Sequence, residues 1–135
     1  MNDYVNYTGT EPLLLTLCLD ENSILVSRAV LEALEHPRQI QMLINDDRKM
    51  LLLKACTVDE REAVVIPPEI QLQFEMSGHS LLKRVRRLTG WTDNAPRAVY
   101  GNYLPAHQAI VFDLTSAQPT ELRLPPDDVG PGVRN

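Results

Sequence analysis

The sequence predicts an α+β domain, mainly β, in which two strand–short helix–hairpin units pack as a swapped-hairpin-like barrel. Three observations point there. Short apolar segments are bounded by Pro, Gly, Asn and Asp, which is strand and turn chemistry. Only two stretches carry apolar residues at helical spacing. The order strand, helix, hairpin then occurs twice, over residues 18–56 and 70–114. Each unit has about forty residues, near the lower limit for an independent core, so the two must share one interior or pair with a second chain.

The elements follow in order. Residues 12–20 read PLLLTLCLD, a strand, and residues 24–27 form a short second strand. Ser27 is placed to cap a helix, with Val30, Leu31 and Leu34 at helical spacing and Glu32 early, where the dipole favours a carboxylate. His36 and Pro37 end that helix. Residues 38–44 and 49–56 make a hairpin around residues 45–48, where Asn45, Asp46 and Asp47 tolerate left-handed backbone. A charged loop over residues 57–62 leads to a short strand at 63–66, stopped by Pro67 and Pro68.

In the second unit Ile70, Leu72, Phe74 and Met76 alternate with Gln71, Gln73 and Glu75, the period of a half-buried strand. Ser77 or Ser80 begins a helix whose apolar stripe is Leu81, Leu82, Val85 and Leu88, with Lys83, Arg84, Arg86 and Arg87 opposite. Gly90 supplies its left-handed cap. The second hairpin joins residues 97–103 to 108–114. The single domain thus covers residues 12–116. It follows a loose N-terminal segment, 1–11, and precedes an extended tail, 117–135, where four prolines and two glycines oppose helix and central strand.

The chain has 135 residues, 13 Lys plus Arg, 18 Asp plus Glu and a net charge of -5, which excludes a uniformly basic nucleic-acid binder and requires any such contact to be a local patch. No apolar run is long enough for a membrane span, and the N-terminus lacks the positive region of a secretory signal, so a cytoplasmic protein is expected. Cys18 and Cys56 sit in apolar surroundings and read as free thiols, with a single disulfide as the alternative.

The first unit, LDENSILVSRAVLEALEHPRQIQMLINDDRKMLLLKA, resembles the swapped-hairpin barrels of AbrB-like transition-state regulators. It is still more similar to the MraZ family, which carries two such units in one chain. The resemblance rests on Leu19-Asp20 before a strand, the short Leu31/Leu34 helix, the kink at Pro37 and the hairpin ending in alternating apolar residues. It covers about a hundred residues in order of elements, and it implies interleaved hairpins and DNA contacts by basic residues near the short helices. The MraZ pattern has a Gly-Arg pair after the Asp and a Pro before the helix, where this chain has Ser23-Ile24 and Ser27.

The expected function is therefore a small, non-enzymatic DNA-binding regulator. Lys83, Arg84, Arg86 and Arg87, joined by Arg28 and Arg38, would contact phosphates. The alternative is a protein-interaction module of the same fold without DNA binding. Its interface anchors would be Trp91, Tyr100 and Tyr103, with the C-terminal tail as a docking segment. Short units with many strand edges also predict a homodimer. No cofactor or metal is expected, because His36, His79 and His107 lack ligand spacing. There is no Gly-rich phosphate loop and no G-x-S-x-G element, so no catalytic residue is assigned.

Overall fold

The computed structural model describes residues 11–56, 63–67 and 73–120. Its strands are β1 (Leu14–Cys18), β2 (Ser23–Ser27), β3 (Gln39–Asn45), β4 (Met50–Ala55), β5 (Val64–Val65), β6 (Gln73–Ser77), β7 (Arg97–Leu104), β8 (Ala109–Asp113) and β9 (Gln118–Pro119). Helix α1 (Arg28–Ala33) follows β2, and α2 (His79–Thr89) follows β6. The strands form one antiparallel sheet in the order β5-β3-β4-β8-β7-β1-β2-β6, with β9 beside β7. The sheet curls until its ends face each other: residues of β3 and β5 line one side of a cleft and residues of β6 and α2 the other. The result is a nearly closed barrel.

Alternate residues of each strand point inward. Leu15, Leu17, Ile24, Val26, Ile40, Leu51, Leu53, Val99, Ile110 and Phe112 are fully buried, and Val30 of α1 with Leu82 and Val85 of α2 cap the same core. Phe112 is the largest of them; deleting its ring would cost about 3–5 kcal/mol in lost transfer energy and cavity.

The registers repeat. In the first hairpin Met42, Leu43, Ile44 and Asn45 stand opposite Leu53, Leu52, Leu51 and Met50. In the second, Gly101, Asn102, Tyr103 and Leu104 stand opposite Phe112, Val111, Ile110 and Ala109. The β2–β6 ladder is symmetric about Leu25 and Glu75, and the β4–β8 ladder about Leu52 and Val111. A local two-fold axis through these two centres therefore relates strand–helix–hairpin to strand–helix–hairpin. The helical connections differ: α1 has 6 residues and α2 has 11.

Local chemistry sets the boundaries. Ser27 caps α1 by accepting from the Val30 N–H (3.4 Å). Glu32 accepts from Arg28 Nε, one turn earlier, instead of serving the dipole. The cap of α2 is Gly78, not Ser77 or Ser80, and no side chain accepts from its first turn. A Cβ at Gly78 would lie 2.7 Å from Ile24 Cδ1, so close packing of the helix start on β2 displaces a capping serine from that position. Gly90 closes α2 with φ 80. In the first hairpin the left-handed residue is Lys49, not an Asn or Asp; Asn45 instead accepts the Arg48 N–H (3.0 Å) through its side chain. The expected tail starts later than residue 117. Gln118 and Pro119 pair with Ala98 and Arg97, and the Thr120 N–H donates to the Pro96 carbonyl (2.8 Å). The rest of the tail, the N-terminal segment 1–10, the charged loop and residues 70–72 lie outside the described residues. Cys18 is buried and Cys56 is half-buried, and neither is joined in a disulfide.

Candidate nucleic-acid interface

Helix α2 presents the cations. Leu82 and Val85 turn into the barrel, so residues three and four apart on the far side face solvent. Lys83, Arg84 and Arg87 are exposed, and His79 and Ser80 share their face. No acidic residue occurs in α2. Among the described residues Lys83 and Arg87 have no ion-pair partner.

The other four predicted cation positions divide. Arg84 forms an ion pair with Asp46 at 2.9 Å, linking α2 to the tip of the first hairpin. Both side chains are about half exposed, so water screens the pair and it stabilises by under about 1 kcal/mol. Arg86 does not join the exposed face. Its guanidinium donates to the Asp93 carbonyl (3.0 Å), the Asn94 side-chain oxygen and the Leu19 carbonyl (3.5 Å), tying α2 to two loops. The sequence pattern placed Arg86 opposite the apolar stripe, yet at the flank of that stripe a long side chain can fold back to backbone acceptors.

Arg28 and Arg38 lie at the other end of the barrel. Ser27 stands opposite Gln73 and Ser23 opposite Ser77, so α1 leaves β2 roughly 13 Å along the ladder from where α2 leaves β6. Arg38 precedes β3 at the α1 end, while the far end of β3 leads to Asp46 beside α2. Arg28 is held by Glu32 at 2.9 Å; that hydrogen bond, followed by the charge attraction, raises the Arg28 pKa. These two cations and α2 cannot form one continuous patch.

The aromatic candidates also separate. Trp91 is half-buried, packs against the core and lies beneath the Arg97 guanidinium, 4.7 Å from its ring centroid. Arg97 is itself buried and bonds Asp93 (3.1 Å), so the pair anchors the loop after α2. Tyr100 is exposed on the outer face of β7, and Tyr103 packs inward against the core. Their odd spacing on one strand puts them on opposite faces.

Two features escaped the sequence. One is the Arg84–Asp46 bridge, which joins residues 38 positions apart. The other is a cleft of about 630 Å³ between the two ends of the sheet, lined by Met42, Leu43, Ile44, Val64, Met76 and the start of α2. Neither has a local sequence signal, since both arise from how the sheet curls. Among the described residues there is no cluster of three His, Cys, Asp or Glu side chains suited to a metal, and no helix long and apolar enough to cross a membrane. Comparison with protein-family models, curated proteins and solved structures found no match for the chain.

Proposed function

We propose that the protein is a small non-enzymatic regulator of the AbrB/MraZ-like type, with its two hairpins arranged as in swapped-hairpin barrels, that contacts duplex DNA through Lys83, Arg84 and Arg87. The observation that carries this reading is the acid-free, solvent-facing side of α2 on a protein of net charge -5. A local cationic face on an acidic protein directs anions to one place. The repeated hairpin register supports the kinship with those barrels. The mode of contact is phosphate positioning; a homodimer, as in that family, would double the contacts.

Fluorescence anisotropy with labelled duplex DNA tests the reading. Three phosphate contacts correspond to a drop in affinity of roughly 40-fold between 50 mM and 200 mM salt. The double substitution Lys83→Glu/Arg87→Glu is expected to remove binding while leaving the fold intact. Absence of binding at 50 mM salt, or binding indifferent to that substitution, would discard it.

A second reading, an interaction module of the same fold without DNA contacts, is favoured by one feature: Asp46 sits against Arg84 and interrupts the cationic face. A variant lacking residues 121–135 that loses a protein partner but not stability would favour this alternative.

A further inference from the structure

The outer face of the barrel carries an apolar row. Leu51, Leu53, Ile110 and Phe112 are fully buried, so their neighbours Leu52, Lys54, Val111 and Asp113 turn outward. Leu43 stands opposite Leu52, and Leu52 opposite Val111, so three apolar side chains from β3, β4 and β8 lie in one line across the sheet. Leu43 is 40% exposed, and Leu52 and Val111 are half-buried. Tyr100, exposed on the outside of β7, lies on the same face. A cleft of about 670 Å³ beside the row is lined in part by Leu43, Asn45, Met50 and Leu52.

Charge on this face changes sign under the local two-fold axis. That axis carries Leu52 onto Val111, and so carries Lys54, two residues after the one, onto Asp113, two residues after the other. Among the described residues neither Lys54 nor Asp113 has an ion-pair partner. Asp113 Oδ1 accepts from the Thr115 N–H and hydroxyl, which leaves the carboxylate ionic and uncompensated. Strands about 4.8 Å apart that rise about 3.4 Å per residue set Lys54 and Asp113 roughly 14 Å from each other, on either side of the centre of the row. Within one chain the two cannot meet.

A second copy laid face to face satisfies both charges. Consider a two-fold axis in the plane of the face, through the centre of the row and at right angles to the line from Lys54 to Asp113. It sets Lys54 of each copy over Asp113 of the other, the self-complementary pairing that a two-fold dimer requires. The same rotation stacks Leu52 on Leu52 and Val111 on Val111. It also brings Leu43 of each copy over the other's cleft, between Leu43, Asn45, Met50 and Leu52. The crossing angle agrees independently. The inward residues Lys49 and Ala55 bond towards β8, so β8 lies to the left of β4 when β4 rises and is seen from outside. The strands of the two copies then cross at roughly −40°, close to the angle of about −30° at which twisted sheets stack.

We propose that the protein self-associates as a two-fold dimer through this outer face, with a Lys54–Asp113 pair at each end and the apolar row between them. Both hairpins are paired within one chain, so the copies stack instead of exchanging hairpins. Lys83 and Arg87 take no part, and the interface stands or falls independently of DNA binding.

The test uses the full-length chain in sedimentation equilibrium from micromolar to millimolar protein. A reversible dimer is expected. Lys54→Glu and Asp113→Lys are each expected to weaken it about tenfold or more, because symmetry places each change in both ion pairs. An equimolar mixture of the two variants is expected to associate about as tightly as the parent, since every cation again faces a carboxylate. Zero-length carbodiimide coupling gives a second readout on the unaltered protein. It is expected to join Lys54 to Asp113, and a mixture of isotopically labelled and unlabelled chains is expected to show that the link runs between chains. This readout and Lys54→Glu decide the matter even if Asp113→Lys, which also loses the Thr115 contacts, fails to fold. A monomer at every concentration would overturn the proposal. So would a dimer indifferent to Lys54→Glu, or one in which coupling joins only residues outside this face.

Discussion

Lys49 and Gln108 occupy the same place in the two halves of the barrel, and each accepts a hydrogen bond from the other half. Each is the last residue of its hairpin turn, and each has left-handed backbone, with φ 55 and φ 48. The Leu114 N–H donates to the Lys49 carbonyl (3.0 Å), and the Ala55 N–H donates to the Gln108 carbonyl (3.4 Å). The two turns thus fix the length of the β4–β8 ladder from both ends, and the local symmetry extends to individual main-chain bonds.

Left-handed backbone at a non-glycine residue costs of order 1 kcal/mol, more for a β-branched one. Lys49→Gly is expected to raise the unfolding free energy by about 0.5–1 kcal/mol, and Lys49→Val to lower it by about 1–2 kcal/mol. Urea denaturation of the two variants measures both. The same pair of substitutions at Gln108 should move stability in the same directions.

Gly101 is small because Phe112 is large. A Cβ at Gly101 would lie 2.6 Å from both Ile110 Cγ2 and Phe112 Cε2. In the other half the matching cross-strand pair is Met42 and Leu53, so volume is exchanged between the partners. Gly101→Ala is expected to destabilise by about 1–3 kcal/mol. Adding Phe112→Leu should recover part of that loss, so the double variant is more stable than the sum of the single effects. Thermal or chemical unfolding of the four proteins of this cycle gives the coupling.

Arg86 and its neighbours on α2 should separate cleanly by stability. Arg86→Ala removes three donors from loop carbonyl and amide acceptors and is expected to cost about 1–2 kcal/mol. Lys83→Ala and Arg87→Ala, at exposed positions, should stay within about 0.5 kcal/mol of the parent. If all three behave alike in urea, the bridging role given to Arg86 is wrong.

Asp46 offers a gain-of-function check. Asp46→Asn removes an exposed ion pair and should change stability by less than about 1 kcal/mol. It also frees Arg84, so affinity for duplex DNA at low salt should rise. Unchanged or weaker binding would mean that the face of α2 is not the phosphate-contacting surface.

The amino-acid sequence by itself determined the order and type of nearly every described element, because those signals are local. Alternation set β6, the stripe through Leu82 and Val85 set α2, Ser27 and Gly90 set caps, and Asn45 set a turn. The repeated order of elements was visible for the same reason. Only the tertiary structure decided which cations share a surface. Arg28 and Arg38 are separated from α2 because β2 and β6 run antiparallel and send their helices to opposite ends. Arg86 turns inward because carbonyls of two loops come within its reach. The two ends of the sheet line one cleft because the sheet curls, and curling sums small twists over many strands, a quantity that no short stretch of residues encodes.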